Sequence, residues 1–261
     1  MSETAGQPQE LETAVSAASA PPESPAADNP ASSPGKVAWV ISLLVSAVLA
    51  VTALNFTPAF FELPAEFASV DPSSPPEQQE AASQAYLKKE WKNALSTYAI
   101  VGICLALPCV VASRRYAVGG AIGASVASLV FGLLSGLLAV SLGTIIAQQM
   151  RAAGYDLESM VPDILAWGIM SATLALPAAL SLVIGGEKPF SQRVVSIPLA
   201  GILTGIVVTI GVSLFLPSAN TSKIPPFGLT LTAVWFAVLI GLILVLSTFT
   251  GSRKPKTTTV D

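Results

Sequence analysis

The chain has no histidine, two cysteines and few charges: Asp, Glu, Lys and Arg make up 11% of 261 residues, where a soluble domain carries about 25%. The missing histidine removes the commonest metal ligand and the commonest general base together. With 13 basic against 16 acidic residues the formal charge is −3. No positive excess exists to hold a phosphate backbone, so nucleic-acid binding is not expected.

Cys104 and Cys109 stand five residues apart in one apolar run. On a helix that is an axial rise of about 7.5 Å, beyond the roughly 7 Å reach of a disulfide, and two thiols without histidine make a poor metal centre. They read as packing residues. Gly185-Gly186-Glu187-Lys188 lacks the first half of a phosphate-binding loop and reads as a helix stop with a snorkelling lysine. No Ser-Lys pair and no paired carboxylates share one membrane depth. Catalytic, cofactor-binding and metal-binding residues are therefore all assigned as none, and no cofactor and no enzymatic activity are expected.

What the chain does have is apolar length, with 52% hydrophobic residues. Six long apolar runs cover residues 37–54, 94–113, 118–148, 160–184, 194–216 and 227–250. A helix rises about 1.5 Å per residue and the hydrocarbon layer is about 30 Å thick, so about 17 to 25 residues suffice to cross it. Backbone amides in lipid must be satisfied within the segment, and no barrel-like alternation is present. The expected fold class is an all-α membrane protein, a six-transmembrane-helix bundle in which residues 37–54 form helix 1 and residues 94–250 hold helices 2–6. Asp163 alone among the charged residues falls inside the six runs, one turn from the start of the fourth, where it reads as a headgroup-level residue or cap.

Outside the spans the chain divides into three polar parts. Residues 1–36 are rich in Pro, Ala, Ser and Glu and read as a disordered arm, and residues 251–261 as a short basic tail. The apolar run begins only at Val37, so despite the cleavage-like Val51-Thr52-Ala53, span one reads as retained. The connection 55–93 carries Phe56, Phe60, Leu63 and Phe67 at helical spacing, interrupted by Pro64, which suggests an interfacial segment. After a turn at Asp71 and Pro72, Ser74-Pro75-Pro76-Glu77 has the form of a capping box, and the helix it opens meets no breaker before span two. Asn55-Phe56-Thr57 and Asn220-Thr221-Ser222 match the glycosylation acceptor, but lie too near the bilayer for modification to be expected.

Basic residues set the expected orientation. Lys36, Arg114, Arg115, Lys188, Arg193, Arg253, Lys254 and Lys256 fall on one side, against Lys88, Lys89, Lys92, Arg151 and Lys223 on the other. The positive-inside rule then puts both termini in the cytoplasm of a cell membrane, plasma or inner.

A shift of 69 residues superposes Leu105-Ala106-Leu107-Pro108 on Leu174-Ala175-Leu176-Pro177 and Gly132-Leu133-Leu134-Ser135-Gly136 on Gly201-Ile202-Leu203-Thr204-Gly205. This suggests pseudo-repeated helical hairpins of parallel orientation, related by an axis along the membrane normal. Weaker echoes in span six, from Gly241, and in span one, at Ser42, Ser46 and Ala50, suggest a third unit and a threefold ring.

Gly120, Ala124, Ser128, Gly132 and Gly136 recur every four residues in span three, as do Gly201, Gly205, Thr209 and Ser213 in span five. Small residues permit the close backbone approach that holds helices together in lipid. The expectation is packing within the chain, with self-association through these faces as the lesser reading. Pro108 and Pro177 are expected to kink spans two and four and free a carbonyl in each. The partners expected are the lipid bilayer and a membrane protein. The leading functional expectation is a non-catalytic accessory or assembly component of a membrane complex, and the alternative is a permease for a neutral or lipid-like solute.

Overall fold

The computed structural model describes residues 36–55, 60–71, 73–154, 160–215 and 229–249. The expected disordered arm before residue 36, the tail 251–261, Phe56, Pro72 and the acceptor at Asn220 lie outside the described residues. Every regular element is an α-helix among those described: α1 (Lys36–Asn55), α2 (Ala65–Ala68), α3 (Pro76–Leu105), α4 (Leu107–Ser113), α5 (Val118–Ala152), α6 (Met160–Ile184), α7 (Gln192–Phe215) and α8 (Leu229–Phe249). With α3 and α4 counted as one span, six helices are long and apolar enough to cross a membrane. The fold is the all-helical, six-span class that apolar length and backbone satisfaction require.

Spans adjacent in sequence pack against each other, and the circuit closes where α8 meets α1. α6 is the hub. It packs on α3, α4, α5 and α7, while Trp39 of α1 and Trp235 of α8 each donate a hydrogen bond to one of its serines. Its apolar window is 67% buried, against 28% in α1 and 33% in α5. Those two spans lie at the rim.

The α3–α5 and α6–α7 interfaces are backbone against backbone. A Cβ on Gly136 would run into the Tyr98 carbonyl, and one on Gly132 into the Gly102 carbonyl. Equivalent crowding meets Gly205 at Trp167 and Gly168, and Gly201 at Ser171 and Ala172. Dispersion contacts of this kind substitute for the hydrophobic drive that lipid does not provide. The obstacles Tyr98 and Trp167 are themselves 69 residues apart, as are Gly136 and Gly205. Gly241, the counterpart of Gly102 in the third echo, has nothing within 4 Å of a Cβ position.

The close-contact face of α5 is shorter than expected. Gly120 is exposed, and a Cβ there would meet only Tyr116 of the preceding turn; burial begins at Ser128. In α7, Gly201, Gly205 and Thr209 are buried.

In the 55–93 connection residues 60–64 are not helical, in keeping with the interruption at Pro64, which takes the position before the single turn α2 and has no amide to continue a helix through it. One local expectation is corrected: the capping box is absent. Pro75 precedes the first turn of α3 and no side chain caps it; the Ser74 hydroxyl instead accepts from the Asp71 amide at 3.2 Å. From Pro76 the helix runs unbroken into span two as far as Leu105.

The stops are built locally. Gly186 adopts φ 99°, and the amides of Gly186 and Glu187 return to the carbonyls of Val183 and Leu182. That pattern closes the C-terminus of α6 and needs a residue without a Cβ penalty. Gly154, at φ 92°, ends α5 in a related way through the Arg151 carbonyl.

Candidate functional site: the proline junction

The two expected kinks turn out unlike one another. In span two the helix breaks at Ala106, and Pro108 falls in the first turn of α4, where a missing amide costs nothing because that amide has no helical acceptor. In span four the helix is unbroken across Pro177. The two prolines are therefore not equivalent in position, one standing in a helix's first turn and the other within a helix. The sequence context of both prolines is Leu-Ala-Leu-Pro, so neighbours in space decide the difference.

Pro177 has no amide to give the Thr173 carbonyl one turn back. Ser135 of α5 supplies the replacement, its hydroxyl donating to the Thr173 oxygen at 2.6 Å. The Thr173 hydroxyl folds onto the Ile169 carbonyl at 2.8 Å, as helical threonines do. From α4, the Cys109 thiol donates to the Pro177 carbonyl at 2.8 Å. Pro108, Cys109, Ser135, Thr173 and Pro177 are all buried, so these bonds form away from lipid and water. The junction thus joins α4, α5 and α6 through carbonyls in the middle of a span. Both cysteines are free thiols.

Around this junction the buried tryptophans spend their N–H groups on serines of α6. Trp39 Nε1 reaches Ser181 at 2.8 Å, and Trp235 Nε1 reaches Ser171 at 2.9 Å. Trp167 and Trp235 meet edge to face with centroids 5.2 Å apart. An aromatic ring with one polar handle fills volume and fixes register at once. Among the described residues, the buried hydroxyls of Thr97 and Thr209 have no hydrogen-bond partner.

Charged side chains lie at the two ends. Asp163, in the first turn of α6, is 9% exposed and faces Arg151 of α5 at 3.8 Å. Asp163 thus forms an ion pair across the α5–α6 connection. At the opposite end Arg193 pairs with Glu187 and donates through Nε to the Ser247 carbonyl of α8 at 3.1 Å. A cation at the last carbonyls of a helix is favoured by the helix dipole.

Beyond the spans, the Asn93 amide grips the Phe61 backbone on both sides. Its oxygen accepts from the Phe61 amide at 2.9 Å, and its nitrogen donates to the Phe61 carbonyl at 3.1 Å. Lys92 Nζ lies 5.6 Å from the Phe61 ring centroid. In the turn before α3, the Asp71 carboxylate accepts from the Ser73 amide at 3.0 Å. That bond holds the carboxyl below its ordinary value.

Among the described residues no group of three Cys, Asp or Glu side chains is placed to hold a metal ion. Ser135, Asn93 and the tryptophans escaped sequence reasoning. A usable signal existed for Ser135, since a hydroxyl residue within an apolar span is a known donor to a proline-freed carbonyl; its partner span was the missing information. Against known protein families, curated proteins and solved structures, the chain finds no match.

Proposed function

We propose that the chain is a non-catalytic accessory or assembly component of a membrane complex, embedded in a plasma or inner membrane with both termini cytoplasmic. The observation that carries this reading is the closed proline junction. A carrier that uses broken helices offers freed backbone carbonyls to its solute; here the Thr173 carbonyl is taken by Ser135 and the Pro177 carbonyl by Cys109. The surface that supports docking is the part of α3 ahead of span two. Residues 76–92 would extend about 25 Å along the axis, and Tyr86 and Leu87 on it are exposed at 45% and 61%.

The permease reading keeps one observation in its favour, the unpartnered hydroxyls of Thr97 and Thr209. The test places a photo-crosslinking residue at Leu87 in the full chain and irradiates native membranes. One discrete adduct of fixed stoichiometry, lost when the crosslinker is moved to the buried Val101, supports an assembly role. No adduct, together with flux of a neutral solute through liposomes that Thr97→Val or Thr209→Val abolishes, replaces it with transport.

A further inference from the structure

The described charges are unevenly divided between the two ends of the bundle. One end carries Arg114, Arg115, Lys188 and Arg193 against Glu187. The other carries Lys88, Lys89, Lys92 and Arg151 against Glu62, Glu66, Asp71, Glu77, Glu80, Glu90 and Asp163. On the basic end Glu187 is already paired with Arg193. Arg114, Arg115 and Lys188 have no carboxylate partner among the described residues.

These three cations come from two turns that touch. The guanidinium of Arg115 lies against Gly186, 2.5 Å from where a Cβ would stand, so the α4–α5 turn rests on the α6–α7 turn. Each turn also presents an aromatic ring next to its cations. Tyr116 is 43% exposed with Arg115 over its ring at 5.3 Å, and Phe190, two residues after Lys188, is 92% exposed. A large ring so exposed is costly in water and at home at the boundary between headgroups and acyl chains. The first turn of α5, which begins three residues after Arg115, has no side-chain cap and no acidic residue, so no carboxylate there offsets the neighbouring cations.

We propose that Arg114, Arg115 and Lys188 together hold the phosphate of an anionic phospholipid, with Tyr116 and Phe190 seated in the adjoining acyl boundary. Guanidinium groups chelate phosphate oxygens, and the uncompensated positive charge distinguishes an anionic from a zwitterionic headgroup. This goes beyond the general bias of basic residues toward one leaflet, because it assigns a retained lipid to two named turns.

The test uses the full chain purified in mild detergent and mixed with phosphatidylglycerol, phosphatidylcholine or inorganic phosphate. Native mass spectrometry reads lipid adducts, and thermal melting reads stabilisation. Phosphatidylglycerol should remain bound and raise Tm, while phosphatidylcholine and inorganic phosphate should do neither. Each cation removed, as R114Q, R115Q or K188Q, should weaken retention about fivefold, and Phe190→Ala should weaken it for any acyl chain. Lys88→Gln with Lys89→Gln, at the opposite end, should leave retention unchanged. Equal retention of phosphatidylcholine, or stabilisation by inorganic phosphate alone, overturns the proposal. So does wild-type retention in R114Q, a substitution at an exposed side chain.

Discussion

Replacing Ser135 by alanine removes one hydroxyl whose only visible task is to satisfy the Thr173 carbonyl. Two effects combine in the cost. Interhelical hydrogen bonds in membrane proteins contribute about 0.6 kcal/mol on average and about 1.7 at most, and a buried carbonyl left without a donor costs about 1–3 kcal/mol. Since helical carbonyls relax toward neighbouring donors, the expected loss is about 1–2 kcal/mol. Pro177→Ala sharpens the experiment, because it returns an amide to the same carbonyl. In that background Ser135→Ala should cost less than about 0.5 kcal/mol, giving a coupling of about 1 kcal/mol in a double-mutant cycle. Reversible unfolding in mixed micelles, followed by the fluorescence of the buried Trp39, Trp167 and Trp235, measures all four corners. Ser141→Ala is the control, since that hydroxyl bonds only to the Leu137 carbonyl of its own helix. A Ser135→Ala cost that is the same with and without Pro177 would refute the account, and so would no cost at all.

Other consequences follow from the same geometry. Gly136→Ala and Gly205→Ala should each destabilise the bundle by at least about 2 kcal/mol, because their Cβ positions meet backbone that cannot rotate away. Gly211→Ala and Gly241→Ala, with nothing within 4 Å, should be neutral or stabilising in the same unfolding assay, and a uniform response at all four sites would contradict the packing described. Asn93→Ala should release the segment around Phe61 without loosening the spans, seen as faster amide exchange at residues 60–68 alone; unchanged exchange there would mean the amide clamp does not hold the segment. Asp71 titrates below its ordinary value, so the turn it holds is intact above that range and lost as pH falls through the lowered midpoint. A chemical-shift titration of the Ser73 amide should show that midpoint and Asp71→Asn should abolish it, whereas a midpoint at or above the value of an unstructured aspartate would exclude the bond.

Some of the proline junction was open to reading from the sequence and some was not. Pro177 announces a freed carbonyl at Thr173 by covalent chemistry alone, yet nothing near either residue in sequence points to Ser135, which lies 38 residues away from Thr173. The same limit appears at the capping box. Ser74 and Glu77 have the right spacing, but consecutive prolines and the competing Asp71 amide move the helix start to Pro76. Among the small-residue stripes, Gly120 and Gly136 look alike on paper and differ in the bundle because only Gly136 faces a neighbouring backbone.

The six spans, their approximate ends and the stop at Gly186 were written in the sequence. Hydropathy is a contest between one segment and lipid, and a positive-φ stop is a property of one residue and its own turn. Tertiary structure alone decided that α6 is the hub, that Pro108 stands in the first turn of a helix while Pro177 is absorbed within one, and which serine answers the orphaned carbonyl. In lipid the outward and inward faces of a span are both apolar, so no periodic contrast marks the packing side. The choice falls to backbone contacts between segments far apart in the chain.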